Sequence, residues 1–137
     1  MDEKVEWSDT YLLGIPEIDN QHKKLIAIAN ELYEVITGDQ ESYKANMAKA
    51  LKKLVDYTVY HFSHEEGFMR DHGYAGVDVH KTAHDGFINE VNHQVKQLEG
   101  AESRSDGKKF YSYIVNWILT HIARADKVWA AFVKKNM

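Results

Sequence analysis

The chain has 137 residues, of which 44% are hydrophobic and 28% charged, with a single proline and a formal net charge of -4. This is enough apolar side chain for one compact core, and the composition is not that of a disordered segment. The absence of cysteine excludes disulfides, c-type haem attachment, cysteine-ligated iron–sulfur clusters and a catalytic thiol.

The lysines are scattered in pairs (Lys23-Lys24, Lys52-Lys53, Lys108-Lys109, Lys134-Lys135). That is the pattern of solvated helix faces, not of a basic stripe for nucleic acid. The stretch Met1 to Trp7 is acidic and lacks an apolar core, unlike a secretory signal. No apolar run approaches the roughly 20 residues that span a bilayer. The expectation is a soluble cytoplasmic protein folded as a single domain over residues 1–137. The one anomaly of composition is its eight histidines.

Trp7 to Ile18 reads as an ordered arm punctuated by Gly14 and Pro16. A first helix is expected from about Asp19, a candidate N-cap, to Thr37 before Gly38. Its apolar face is Leu25, Ala29, Leu32 and Ile36, with His22 one turn earlier. The second helix is expected from about Glu41 to Glu66. Met47, Leu51, Leu54, Thr58, His61 and Glu65 recur at spacings of four and three, a core seam that ends in two polar residues. The loop Asp71 to Gly76 leads to a third helix, about Val79 to Leu98, with His80, His84, Phe87, Val91 and Leu98 on its inner face. A polar, glycine-bearing segment from Glu99 to Gly107 turns the chain. The fourth helix starts near Lys108 and carries Phe110, Ile114, Trp117 and His121 inward. Lys127 to Lys135 reads as a short extra helix packing through Val128, Ala131 and Phe132. The class is all-α: an antiparallel up-down-up-down four-helix bundle with an N-terminal arm and a short C-terminal helix.

Histidine stands on the core seam of each of the four helices. A polar ring on a buried face costs free energy unless something satisfies it, and a lone one is ordinarily a hydrogen-bonded core residue. Here His80 and His84 project from one helix face at i and i+4, and His61 and Glu65 do so from another. With His22 and His121 on the remaining helices, a shared metal site is the economical reading. Its donors are His22, His61, His80, His84 and His121, with carboxylates at Glu65 and Asp126. Seven donors exceed what one zinc takes. Imidazole-rich ligation suits first-row transition metals and not calcium or magnesium. Two metals sharing bridging carboxylates use all seven; ligand type admits iron or manganese.

His121 and Asp126 are five residues apart, about 140° out of phase on a regular α-helix. Both reach the site only if the helix ends, bends or bulges between Ile122 and Asp126. The expected form is a break, with Lys127 to Lys135 leaving in a new direction. Asp126 alternatively caps that following helix. His64, His72 and His93 fall off the seams and are assigned to the surface.

Four motifs occur in order: Ile18-Asp19-Asn20-Gln21-His22, His61-Phe62-Ser63-His64-Glu65-Glu66 followed by Met69, His80-Lys81-Thr82-Ala83-His84, and Trp117-Ile118-Leu119-Thr120-His121-Ile122 through to Asp126. On these motifs, and on Trp7 and Gly14 in the arm, the chain resembles the hemerythrins, specifically the single-domain bacterial type. The resemblance implies two non-haem iron ions per chain. His80, His84 and His121 complete one iron and His22 and His61 bind the other. Glu65, Asp126 and an oxo or hydroxo group bridge them. It also implies that Leu25, Phe62, Trp117, Ile118 and Ile122 wall an O2 pocket; read bottom-up, the same residues are ordinary core beside the ligands.

The function so implied is reversible O2 binding, as a carrier, storage or delivery protein, with O2 as partner and no enzymatic activity. The histidine-rich donor set supports it, since di-iron oxygenases and ferritin-like proteins use carboxylate-rich sites with Glu-x-x-His pairs. The alternatives are a di-iron enzyme that scavenges NO or peroxide, and an O2 or redox sensor.

Overall fold

The computed structural model describes residues 4–99 and 104–136. Four helices form the body: α1 (Pro16–Thr37), α2 (Gln40–Asp71), α3 (Val77–Glu99) and α4 (Arg104–His121). A π-helical turn, Ile122–Asp126, links α4 to α5 (Lys127–Lys135), and a 3-10 turn lies at Asp9–Tyr11. Helix α1 packs on α2 and α4, and α3 closes the ring against the same two helices. This is the up-down-up-down bundle, with no strand among the described residues. No helix among them is long and apolar enough to cross a membrane.

The expected seams all turn inward. Leu25, Ala29, Leu32 and Ile36 meet Met47, Leu51, Leu54, Phe87, Val91, Leu98, Phe110 and Ile114 in the core. Spacings of three and four place these residues along one stripe of each helix, which buries apolar area without strain.

Several expected boundaries move, each for a local reason. Helix α1 starts at Pro16, not Asp19: proline lacks only an N–H that the first helical turn leaves unpaired, and its fixed φ suits that position. Asp19 therefore lies inside the helix. Its buried carboxylate accepts the backbone N–H of Leu13 (2.7 Å) and of Gly14 (3.1 Å), tying the arm to α1. A second tie closes upstream. Val5 donates its N–H to Tyr111 Oη (2.9 Å), Tyr111 donates to Asn30 Oδ1 (2.7 Å), and Asn30 Nδ2 donates to the Val5 carbonyl (2.6 Å).

Helix α2 runs five residues beyond the expected Glu66. It ends at a Schellman arrangement in which Tyr74 N donates to the Met69 carbonyl and Gly73 N to that of Arg70. Gly73 has φ +72°, a conformation that glycine adopts without steric cost. Helix α3 begins two residues early, at Val77. Of the expected turn Glu99 to Gly107, residues 100–103 lie outside the described residues, and Arg104 already opens α4. Gly107 is buried within that helix, where an added Cβ would meet Ile36 Cγ1 at 3.3 Å. Its role is close packing of α4 on α1, not a turn.

Helix α5 has the expected bounds but the opposite face. Trp129, Ala130 and Val133 are buried, whereas Val128, Ala131 and Phe132 are exposed. The buried set lies three, four and seven residues beyond Asp126, so α5 continues the phase that Asp126 sets.

Candidate metal centre

His22 sits on α1, His61 and Glu65 one turn apart on α2, His80 and His84 one turn apart on α3, and His121 at the end of α4. All are buried, as is Asp126, the last residue of the π turn. That turn answers the five-residue spacing. The backbone keeps right-handed helical angles on both sides, and Lys127 N donates to the Ile122 carbonyl, an i to i+5 bond. One extra residue per turn brings position 126 round to the face of position 121. The expected break is thus a bulge in a continuing helix, and Asp126 does not cap α5 with its side chain.

The seven side chains fall into two groups whose ligand atoms lie within 4.8 Å of one another. One is Glu65, His80, His84, His121 and Asp126; the other is His22, His61 and Glu65. Each carboxylate offers one oxygen to each group. Glu65 Oε2 lies 2.9 Å from His22 Nε2 and 3.1 Å from His61 Nε2; its Oε1 faces His84 (3.3 Å) and His80 (3.5 Å). Asp126 Oδ2 faces His22 (3.3 Å) and Oδ1 faces His80 (3.0 Å) and His121 (3.3 Å).

These contacts have the chemistry of a metal centre. His121 Nε2 lies 3.0 Å from both His84 Nε2 and His80 Nε2, so three ring nitrogens point at one place. Glu65 Oε1 is buried and accepts no hydrogen bond, which is costly for a carboxylate oxygen unless a cation satisfies it. Two buried carboxylates also demand countercharge. Burial works against an imidazolium at His22 and at His80, but hydrogen bonds and charge from Asp126 and Glu65 outweigh it and lift each to about 9. Burial likewise opposes ionisation of Glu65, yet the surrounding imidazoles hold it well below the usual carboxylate range. Asp126 is depressed in the same way against burial and the Glu65 charge. Metal ions and protons thus compete for the same nitrogens.

Three supporting residues escaped the sequence reading. Gln21 Oε1 accepts from His61 Nδ1 at 2.7 Å, and Glu66 Oε2 accepts from His84 Nδ1 at 2.8 Å. Both bonds fix the tautomer that leaves Nε2 free to ligate. Trp129 Nε1 donates to Asp126 Oδ1 at 3.0 Å. Gln21 and Glu66 are neighbours in sequence of His22 and Glu65; the need of a ligating ring for an acceptor on its second nitrogen was the available signal.

Leu25, Phe62, Trp117, Ile118 and Ile122 come together at one place. With His22, His61, His121 and Asp126 they line a cavity of about 10 Å³, the space of about one water molecule. The Phe62 ring stacks on His84 at 3.7 Å and Trp117 on His121 at 4.5 Å. Of the other histidines, His93 is exposed. His64 and His72 are partly buried instead of fully on the surface: His64 pairs with Glu17 (2.9 Å), and His72 closes α2 and stacks on Phe68.

A helical bundle whose core holds two abutting clusters of histidine and shared carboxylate defines a class of protein built to take metal ions. Residues 13–133 match the family model described as the hemerythrin HHE cation binding domain. The chain belongs to the hemerythrin family. It is 33% identical over 131 residues to a bacteriohemerythrin of Pseudomonas aeruginosa, covering 96% of this chain and 82% of that protein. It is also 33% identical over 124 residues to a bacteriohemerythrin of Clostridium acetobutylicum, covering 88% and 95% respectively. A crystal structure of wild-type hemerythrin superposes with a TM-score of 0.80 at 26% identity, over 94% of this chain and 97% of that one.

Proposed function

We propose that the chain binds O2 reversibly at a two-iron centre and acts as a carrier or store, not as an enzyme. The observation that carries this reading is the cavity of about 10 Å³ set against His22, His61, His121 and Asp126. The group around His80, His84 and His121 has more donors, so the other metal position is the one with room for a further ligand, and both of its histidines line that cavity. A space of that size restricts the position to a very small ligand and excludes an organic substrate.

His80, His84 and His121 would hold one iron, His22 and His61 the other, with Glu65 and Asp126 shared. The chemistry that such an iron pair would supply there is reversible electron transfer to O2. The chain's own residues do the rest. Gln21 and Glu66 keep the ring protons of His61 and His84 on Nδ1. Leu25, Phe62, Ile118 and Ile122 are buried and present only carbon to the cavity, which keeps bulk water and anions away. A dry wall with no proton donor among these four suits a ligand that must leave unchanged. The test is gas uptake by the reduced, iron-loaded protein. One O2 per chain, recovered on evacuation, is expected; sustained consumption of NO or peroxide would assign the site to scavenging.

A further inference from the structure

One histidine in each half of the centre has an acceptor on its second ring nitrogen, and the two acceptors differ in charge. His84 Nδ1 donates to a carboxylate, Glu66, which is 7% exposed and comes from α2. His61 Nδ1 donates to a neutral amide, Gln21, from α1. His22 Nδ1, in the same half as His61, is buried and has no hydrogen-bond partner. An anionic acceptor draws the Nδ1 proton toward itself and leaves Nε2 a stronger electron-pair donor; a neutral amide does this weakly, and no acceptor does it not at all. We infer that Glu66 and Gln21 are positioning residues that set the two metal positions to unequal strength, Glu66 strengthening the position served by His80, His84 and His121 and Gln21 holding the His22–His61 position deliberately weaker. The inference rests on the two-iron reading above.

The asymmetry has a use in that reading. The half that keeps its full donor set is anchored, while the half that faces the cavity retains the electron-poorer ligands. Neither Glu66 nor Gln21 lines the cavity, so exchanging their charges leaves its walls in place.

The experiment follows iron retained per chain by the iron-loaded protein as the concentration of a chelator is raised, with elemental analysis at each step. Wild type should lose its irons in two steps. Glu66→Gln keeps an acceptor oxygen and the side-chain shape but removes the charge, and should bring one step to roughly 10-fold lower chelator. Gln21→Glu adds the charge to His61 and should move the other step to higher chelator. Opposite shifts in separate steps, with unchanged circular dichroism, are what a merely structural role would not produce. Shifts of the same step by both variants, equal loosening by both, or no shift would overturn the inference while leaving the two-iron reading intact. Wild-type iron retention by Glu66→Gln beside loss in Glu66→Ala would show that only the hydrogen bond counts, and would also overturn it; if Glu66→Gln folds poorly, Gln21→Glu carries the test, and no move of its step to higher chelator overturns the inference. A wild-type protein without two metals per chain fails the earlier reading, and this one with it.

Discussion

The indole N–H of Trp129 donates to Oδ1 of Asp126, three residues earlier, at 3.0 Å, and both side chains are buried. The oxygen that receives this bond is also the one facing His80 and His121. Helix α5 therefore does more than cover the end of the bundle. It fixes the rotamer of a carboxylate that the π turn has already carried to the site. Trp129→Phe keeps an aromatic ring but leaves Asp126 short of a donor in a buried place, at a cost of about 1–3 kcal/mol. Thermal unfolding should show the lower midpoint, and elemental analysis a partial loss of metal. Full retention of both would make Trp129 a packing residue only.

Glu65 offers an oxygen to each half of the centre. Glu65→Ala removes both, together with the charge that offsets four imidazoles, and should leave most chains unable to hold two metals. A variant that still binds two metals per chain would mean that Asp126 alone can join the halves.

Protons offer a separate test, in protein stripped by chelation. His22 and His80 are raised from 6.5 to about 9. A raised imidazole contributes stability that is fully present below the unfolded value of 6.5 and lost as pH rises through about 9. Glu65 and Asp126 are depressed, so their contribution is present above the ordinary carboxylate range and lost as pH falls through the depressed values. The stripped protein should thus melt highest between the carboxylate range and about pH 6.5, and lower as pH approaches about 9. Metal retention by loaded protein should run the other way over that upper interval, because metal displaces those protons. A melting temperature for stripped protein that is flat from pH 6.5 to about 9 contradicts the proton pairing.

Ile122 is 1% exposed and lines the cavity directly after His121. Ile122→Ala should cost about 2–5 kcal/mol in stability. It should also hasten decay of the oxygenated absorption band in air and speed azide binding, since water and small anions enter a larger opening. Unchanged decay and azide rates would leave Ile122 a core residue without a role at the cavity.

The histidine seams were legible because three-and-four spacing puts polar rings on faces otherwise filled by Leu32, Leu54, Phe87 and Ile114. The five-residue step from His121 to Asp126 announced irregular backbone, although not its form. A π turn and a helix break satisfy the same spacing; the helical backbone angles on both sides and the hydrogen bond from Lys127 to Ile122 separate them. The buried face of α5 is not legible from that helix alone, because Val128, Ala131 and Phe132 form an apolar trio when it is phased by itself. Counting on from Asp126 by three, four and seven reaches Trp129, Ala130 and Val133. Gln21 and Glu66 were hidden for a different reason. Each serves a histidine on another helix, and cross-helix pairing depends on how α1, α2 and α3 are packed, which spacing along one helix does not contain. Asp19 read as a cap because its residue type favours caps; Pro16 held that end of the helix instead.

The account stands on two metals in one core, and metal content tests it most directly. The measurement is elemental analysis of the chain purified from iron-supplied cells, normalised to protein by amino-acid analysis. The account predicts two irons per chain in wild type. One zinc per chain, or a single iron, would contradict it, because neither uses the seven donors that four helices and a π turn bring together.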